Sequence, residues 1–294
     1  MPGDCLVVND SRVIPARVLG HDTSGRPVEL LFVEPAADGR WRALVRPGRR
    51  CRVGTEIHAG DDGSVYFRIA GIEPDGTRLV ERRYGSVIDA IERYGLPPLP
   101  PYIAHHATPG GDDHERYQTV YAKPPGSIAA PTAGLHFTPE LLDRIRALGV
   151  EVHTLTLHVG PATFWPIKTE RIEDHVLPSE RVEISESVAR AVNTARAERR
   201  RVVAVGTTTT RALESAAGTD GVVHAIEGRA DIFIVPGDRF RVVDALLTNF
   251  HLPRSSLLVL VSAFAGRETI LDAYRHALAA GYRFYSYGDA TLIV

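Results

Sequence analysis

The chain has 294 residues, with 34 Lys and Arg against 36 Asp and Glu, a net charge of -2, 44% hydrophobic and 24% charged residues. That length buries a full core with room for two domains, the composition is that of a globular protein, and the charge balance excludes a general nucleic-acid coat while permitting a local basic face. No apolar run is long enough to span a membrane, the start Met1-Pro-Gly-Asp4 lacks the regions of a signal peptide, and Cys5 and Cys51 sit in separate strand-like segments; no disulfide framework or Cys-based metal site follows, and a cytoplasmic setting is expected.

Cys5 to Val8 is a short apolar run ended by Asn9-Asp10, the pattern of a buried strand entering a turn. Short strand-like pieces follow at Ala16 to Leu19, Val28 to Val33, Trp41 to Val45, Val65 to Ile69 and Arg78 to Glu81, parted by turns such as Ser24-Gly25, Asp38-Gly39 and Asp75-Gly76. That spacing predicts a small antiparallel barrel or sandwich. A helix over Ser86 to Tyr94 and a stiff Leu96-Pro-Pro-Leu-Pro-Pro101 connector come next.

Beyond Ala122 helix and strand alternate. Pro139 to Leu148 reads as a helix with Thr138 as N-cap and Gly149 as its stop. Val150 to Val159, Arg201 to Val205 and Ile232 to Val235 read as strands, and Ser185 to Arg199, Thr208 to Ala217, Ser255 to Phe264 and Glu268 to Ala280 as helices. Tyr282 to Val294 closes with a strand, a turn and a strand. The fold class expected is α/β, a larger α/β domain with a small antiparallel β-barrel domain.

Two runs have neither helical nor strand periodicity, Gly126 to Thr138 and Leu247 to Ser256, and both concentrate hydroxyls, a histidine, glycine or proline. They read as active-site loops. His136, taken alone, reads first as a satisfied core histidine, and the alternative for Asn249 with His251 is a side-chain-braced turn. Val202 to Val205 followed by Gly206-Thr-Thr-Thr-Thr-Arg-Ala-Leu-Glu214 is a strand, a glycine turn and a helix start, where threonines either cap the helix or sit beside an anion. Arg116-Tyr-Gln-Thr-Val-Tyr121 alternates like a strand. Arg46, Arg49, Arg50 and Arg52 form the densest basic cluster, suited to a solvated face or to phosphates. His105, His106 and His114 have no standard metal-site spacing.

These runs together resemble the signatures of the S-adenosylmethionine:tRNA ribosyltransferase-isomerase family of queuosine biosynthesis. The resemblance covers nearly the whole chain, most densely over Arg116 to Phe137 and Thr248 to Asp289. It implies transfer and isomerisation of the ribosyl part of S-adenosylmethionine onto the aminomethyl group of a 7-deazaguanine in the tRNA anticodon, giving epoxyqueuosine with release of adenine and methionine. It also implies that the barrel is inserted, so that residues 1–14 and 95–294 form the catalytic domain and 15–94 the barrel with its helix.

On this resemblance His136 is the first choice for proton transfer, with His251 and Asp289 completing the catalytic set. Thr207, Thr208, Arg211, Glu214 and Tyr287 are expected at S-adenosylmethionine, with Arg211 on its methionine carboxylate and Tyr287 with Asp289 at the sulfonium. Arg116, Tyr117, Gln118, Thr132, Gly134, His158 and Asn249 are expected at the substrate, with Gly134 admitting a ligand to the backbone, and Arg46, Arg49 and Arg50 at the tRNA. No metal is expected, and a monomer is. The chain departs from the family at Ala162, Val176, Pro178 and Ala230 and opens at a point that family members precede with a further N-terminal segment. An impaired paralogue that binds RNA or S-adenosylmethionine, or an enzyme acting on another amine, is the alternative.

Overall fold

The structure, a computed structural model, describes residues 1–60, 63–100, 103 and 113–294, the side chains of 113, 114 and 164 excepted. His105 and His106 lie outside the described residues, as does the side chain of His114. Two compact units emerge, one of residues 1–12 with 117–294 and one of residues 13–116.

The first unit is built on seven strands. In chain order they are β1 (Cys5–Asn9), then, after the short β2 (Arg12–Val13), the strands of the second unit and the short β9 (Pro125–Ser127), β10 (Glu151–Leu157), β11 (Glu180–Ile184), β12 (Val202–Val205), β13 (Ile226–Ala230), β14 (Ala245–Asn249) and β15 (Ala290–Ile293). Their order across the sheet is β13-β11-β10-β1-β12-β14-β15. The four central strands β10, β1, β12 and β14 run parallel, while β11, β13 and β15 are antiparallel to their neighbours. Every residue of β1 is buried, as a strand covered on both faces requires.

Side chains of β1 alternate between the two layers. Leu6 and Val8 pack with Phe137 and Leu142, the latter on α3 (Pro139–Ala147), while Cys5 and Val7 join Val192 and Leu213 on the opposite face. That opposite layer consists of α4 (Glu186–Ala197), α5 (Thr207–Ser215), α6 (Ser256–Ala265) and α7 (Arg267–Ala279). Helix starts follow local chemistry: Thr138, Ser185 and Ser255 each accept a backbone N–H from the first turn.

The second unit is a closed barrel of β3 (Arg17–Asp22), β4 (Pro27–Pro35), β5 (Trp41–Arg46), β6 (Glu56–Ala59), β7 (Val65–Ile72) and β8 (Arg78–Arg82), in the order β3-β4-β5-β8-β7-β6 with β6 pairing back onto β3. Leu30, Phe32, Ile57, Phe67 and Ile69 fill it, and α1 (Val87–Tyr94), capped by Ser86, and the short α2 (Asp113–Arg116) follow. The α/β fold with a small antiparallel barrel is thus observed.

Several elements differ from expectation. The piece β6 has only Ile57 and Ala59 as inward residues, too few for a periodic signal, yet it closes the barrel. The strand expected over Ile232 to Val235 is irregular, and the edge strand is instead β13, whose Glu227 and Arg229 face solvent. Residues Leu247 to Asn249, read as loop, finish β14. Of the strand-turn-strand expected after Tyr282, only β15 forms, and Tyr117 to Tyr121 form no strand. Among the described residues no helix is long and apolar enough to cross a membrane.

Candidate functional site

The chain leaves β1 toward β10 on one side, and leaves β12 toward β14 on the other. A parallel sheet opens a crevice at the carboxyl ends of its strands where such a reversal occurs. Asn9 ends β1 with Asp10 and Ser11 after it, His158 to Gly160 follow β10, Gly206 to Thr208 follow β12, and Asn249 ends β14 with Phe250 and His251 after it. The 3-10 turn Thr132–His136 packs with β14 at the same end.

Asn249 is the hub of this end. Its side-chain Oδ1 accepts from the Thr132 hydroxyl at 3.1 Å, and its Nδ2 donates to Nε2 of His136 at 3.0 Å and to the carbonyl of Tyr285 at 3.2 Å. A carbonyl only accepts, so the amide orientation is determined, and with it the His136 tautomer: Nε2 holds the lone pair and Nδ1 the proton. Burial lowers the His136 pKa below its ordinary value, and the nearby Asp289 carboxylate pulls it partly back. The ring is therefore neutral at pH 7.

Asp289 organises a loop as well. Its carboxylate accepts from the Arg283 backbone N–H at 2.7 Å, which lowers its pKa, and its own N–H donates to the Arg283 carbonyl at 2.7 Å. Within that loop Tyr285 has φ +72°, a region that L residues rarely adopt, and its N–H donates to the Phe250 carbonyl at 3.0 Å. Tyr287 is 39% exposed and meets the buried Tyr117 ring edge to face at 6.1 Å.

His251 lies deeper. Its Nε2 shares a hydrogen bond with the Thr248 hydroxyl at 3.0 Å, its N–H donates to the Tyr274 hydroxyl at 2.9 Å, and burial pushes its pKa down to about 3. His158 accepts from Arg181 at Nε2, at 2.8 Å, and is pushed down to about 4 by burial first and Arg181 second. Its Nδ1 then carries the proton, buried and without a partner among the described residues, over Gly126, where a Cβ would come within 2.7 Å of it.

Helix α5 begins at Gly206, whose φ of +90° suits glycine. The hydroxyls of Thr209 and Thr210 donate back to the carbonyls of Val205 and Gly206, and Thr208 Oγ1 accepts from Asn9 Nδ2 at 3.3 Å. The Arg211 guanidinium is buried against Glu180 and donates to the carbonyls of Ile232 at 3.2 Å and Ala230 at 3.4 Å; Glu180 also accepts from the Gly160 N–H at 2.7 Å. Glu214 accepts three backbone N–H groups, those of Arg241, Val242 and Val243. Arg211 and Glu214 thus face the protein interior.

Gly134 also differs from expectation. A Cβ there would lie 2.2 Å from the Tyr121 hydroxyl and 2.7 Å from Thr119 Cγ2, so the space is taken by those side chains. The Tyr121 hydroxyl and Thr119 Oγ1 are buried without a partner among the described residues, and burial raises the Tyr121 pKa. Gln118 is half-buried and Arg116 exposed, and Arg46, Arg49 and Arg50 lie on the surface of the barrel unit. Of the departing positions, Ala162 and Ala230 are buried, Val176 is exposed and Pro178 lies at the surface.

Asn9 and Glu180 carried no sequence signal beyond a turn and an acidic stretch. Asn9 Oδ1 accepts from the N–H groups of Ser11 and Leu157, and its Nδ2 donates to the Leu157 carbonyl at 2.9 Å, tying β1, β10 and α5 together. Among the described residues no three His, Cys, Asp or Glu converge on a metal-sized site.

Residues 1–293 match the profile of the family described as queuosine biosynthesis protein. The chain is 53% identical over 297 residues to the S-adenosylmethionine:tRNA ribosyltransferase-isomerase of Moorella thermoacetica, an alignment spanning 100% of this chain and 85% of that one. It is 52% identical over 299 residues to the enzyme of the same name from Thermus thermophilus, with the same coverage. A crystal structure of S-adenosylmethionine tRNA ribosyltransferase from Thermotoga maritima is 34% identical, with a TM-score of 0.49 and coverage of 100% of this chain and 83% of that one.

Proposed function

From the premise that the chain belongs to the queuosine biosynthesis protein family and is an S-adenosylmethionine:tRNA ribosyltransferase-isomerase, we propose that the reaction runs at the carboxyl end of β1, β12 and β14. The observation that carries this placement is the Asn249 hub, which joins the Thr132–His136 turn, a neutral imidazole and the Tyr285 loop at the crevice. The product is epoxyqueuosine in tRNA.

When bound, S-adenosylmethionine supplies a carbon acidified by its sulfonium, and that activation requires no metal. The residues fit such a guest: the hydroxyls of Thr119 and Tyr121 are buried beside the 132–136 turn with no partner among the described residues, and polar groups in that position are suited to a ligand's hydroxyls or ring nitrogens. The backbone N–H groups at Thr207 and Thr208 offer a partial positive charge to the methionine carboxylate. Arg211 acts through Glu180 and Gly160, and Glu214 through the 241–243 backbone, as positioning residues. The exposed ring of Tyr287 and the carboxylate of Asp289 attract a sulfonium.

His136 takes the proton at Nε2, the ring's one lone pair, in exchange for the hydrogen bond that Asn249 Nδ2 donates there. Thr132 and Tyr285 orient Asn249, and His251 stays neutral as a brace for the end of β14. His158, Arg116, Tyr117 and Gln118 are assigned to the tRNA base and its neighbours, and the segment 15–94, with Arg46, Arg49 and Arg50, to tRNA phosphates. The protein acts as a monomer.

The test is incubation with S-adenosylmethionine and tRNA bearing the aminomethyl-deazaguanine precursor, followed by nucleoside mass spectrometry, with a chelator in a parallel sample. Epoxyqueuosine is expected in both. His136→Asn is expected to bind both substrates while single-turnover rate falls about 10²- to 10⁴-fold, and a near-normal rate moves the base to another residue.

A further inference from the structure

Two adjacent rows of side chains cross the outer face of the barrel, and their chemistry differs. In one, Glu56, Arg68 and Glu81 stand opposite one another on β6, β7 and β8, with Arg68 and Glu81 3.5 Å apart. Alternating charges of that kind make an ordinary solvated surface. In the other, Pro27, His21, His58 and Tyr66 stand opposite one another on β4, β3, β6 and β7. The neighbouring Val28, Ile57 and Phe67 point into the core, so these rings point out.

The rings touch along the row. His21 and His58 are 5.6 Å apart between centroids and nearly parallel at 11°, and His58 meets Tyr66 at 4.4 Å and 62°. Cations stand at both ends: Arg50 donates to the Pro27 carbonyl at 3.1 Å, and the Arg83 N–H donates to the Tyr66 carbonyl at 3.1 Å. The Arg83 guanidinium lies over the ring of Tyr84 at 5.6 Å, and Tyr84 is 70% exposed. Among the described residues, nearby acids face cations of their own. Asp22 is buried and accepts from Arg26 and from the Ser24 N–H, Glu81 pairs with Arg68, and Glu56 stands opposite Arg68.

We propose that the row His21, His58 and Tyr66, flanked by Arg50 and Arg83, is a stacking platform for unpaired bases of the RNA substrate. Every base has a π face, so rings in a row take bases without reading them, and guanidinium groups at either end meet the phosphates between. Cross-strand ring contacts by themselves stabilise a sheet, but they do not account for a cation at each end of the row or for a tyrosine, Tyr84, that is 70% exposed. Rings with polar edges between cations suit a polyanion better than an apolar protein surface. This inference rests on the reading of tRNA as substrate.

The test compares the wild type with His58→Thr/Tyr66→Thr, threonine being a good strand former, and with Tyr66→Phe, which keeps the ring. Affinity is measured for an unmodified tRNA transcript and for a fully paired RNA duplex over a range of salt, with S-adenosylmethionine affinity and thermal midpoint as checks on the fold. The double variant is expected to bind the transcript about 5- to 150-fold more weakly for each stack lost, with an unchanged salt slope because stacking releases no counterions. Duplex binding and the Tyr66→Phe variant should stay at the wild-type level. A folded double variant with full transcript affinity, or one that loses duplex binding equally, overturns the platform alone. A wild type that binds no tRNA overturns both the platform and the substrate reading. Should the double variant lose its barrel, His21→Thr, at the exposed end of the ring row, gives the same comparison.

Discussion

Asn249 gives both of its amide protons away, one to Nε2 of His136 at 3.0 Å and one to the Tyr285 carbonyl at 3.2 Å. A donor facing Nε2 opposes protonation there, and burial acts in the same direction. Asn249→Asp replaces the donor by a carboxylate that favours imidazolium, so the His136 pKa should rise, by about 1 to 2 units. A base works in its neutral form, so the acid limb of the single-turnover pH profile should move to higher pH by that amount. An unmoved limb would separate His136 from the proton transfer.

Arg211 and Glu180 are each 8% exposed in their side chains, so removing one leaves the other charged and buried. Arg211→Ala should cost about 3–5 kcal/mol in urea unfolding. Arg211→Met with Glu180→Gln removes both charges and keeps an acceptor for the Gly160 N–H, and should recover most of that loss. Calorimetric titration of the double variant should find S-adenosylmethionine affinity retained. A loss of about 1.5–3 kcal/mol would put the guanidinium on the methionine carboxylate instead.

His251 sets a limit on the acid side. Its pKa is about 3 in the folded chain against an ordinary 6.5, so between those values the unfolded chain binds a proton that the folded one refuses. Above pH 6.5 its contribution is constant, and stability should fall as pH drops from 6.5 toward 3, by about 1 kcal/mol per pH unit. His158, lowered to about 4, acts in the same direction. Urea unfolding from about pH 8 down to about 4.5 should show the slope, and His251→Gln should flatten it. An equal slope in the variant would mean that other groups govern acid unfolding.

What could be read from the sequence was whatever is decided locally. Thr138 capping a helix that opens with Pro139 needs only adjacent residues, and so does the buried run Cys5 to Val8. The concentration of polar groups in Gly126 to Thr138 and after Leu247 likewise marked segments that meet at one end of the sheet. Partners distant in sequence were not legible. Arg211 has charge enough for a carboxylate, and nothing local says that Glu180, brought in by the antiparallel strand β11, takes it up. Asn249 looked like loop because its role as the last residue of β14 depends on pairing with β12 and β15. Gly134 suggested room for a ligand, whereas Tyr121 fills that room from a segment without regular structure.

Tyr121 offers a test in which stability and binding should move in opposite directions. Its hydroxyl is buried against the backbone of Gly134, where a Cβ would come within 2.2 Å, and it has no partner among the described residues. A buried hydroxyl without a partner carries a desolvation cost of about 1–3 kcal/mol, so Tyr121→Phe should leave the ligand-free protein as stable as the wild type or more so. If the hydroxyl serves S-adenosylmethionine, the same variant should bind it more weakly, by the ~0.5–1.5 kcal/mol of a typical hydrogen bond, and the stabilisation that the ligand confers on thermal unfolding should shrink accordingly. Thr119→Val, which removes the neighbouring hydroxyl at nearly constant shape, should behave alike. Affinity kept at the wild-type level in both variants would take the 119–121 segment out of the substrate site, whichever way stability moves.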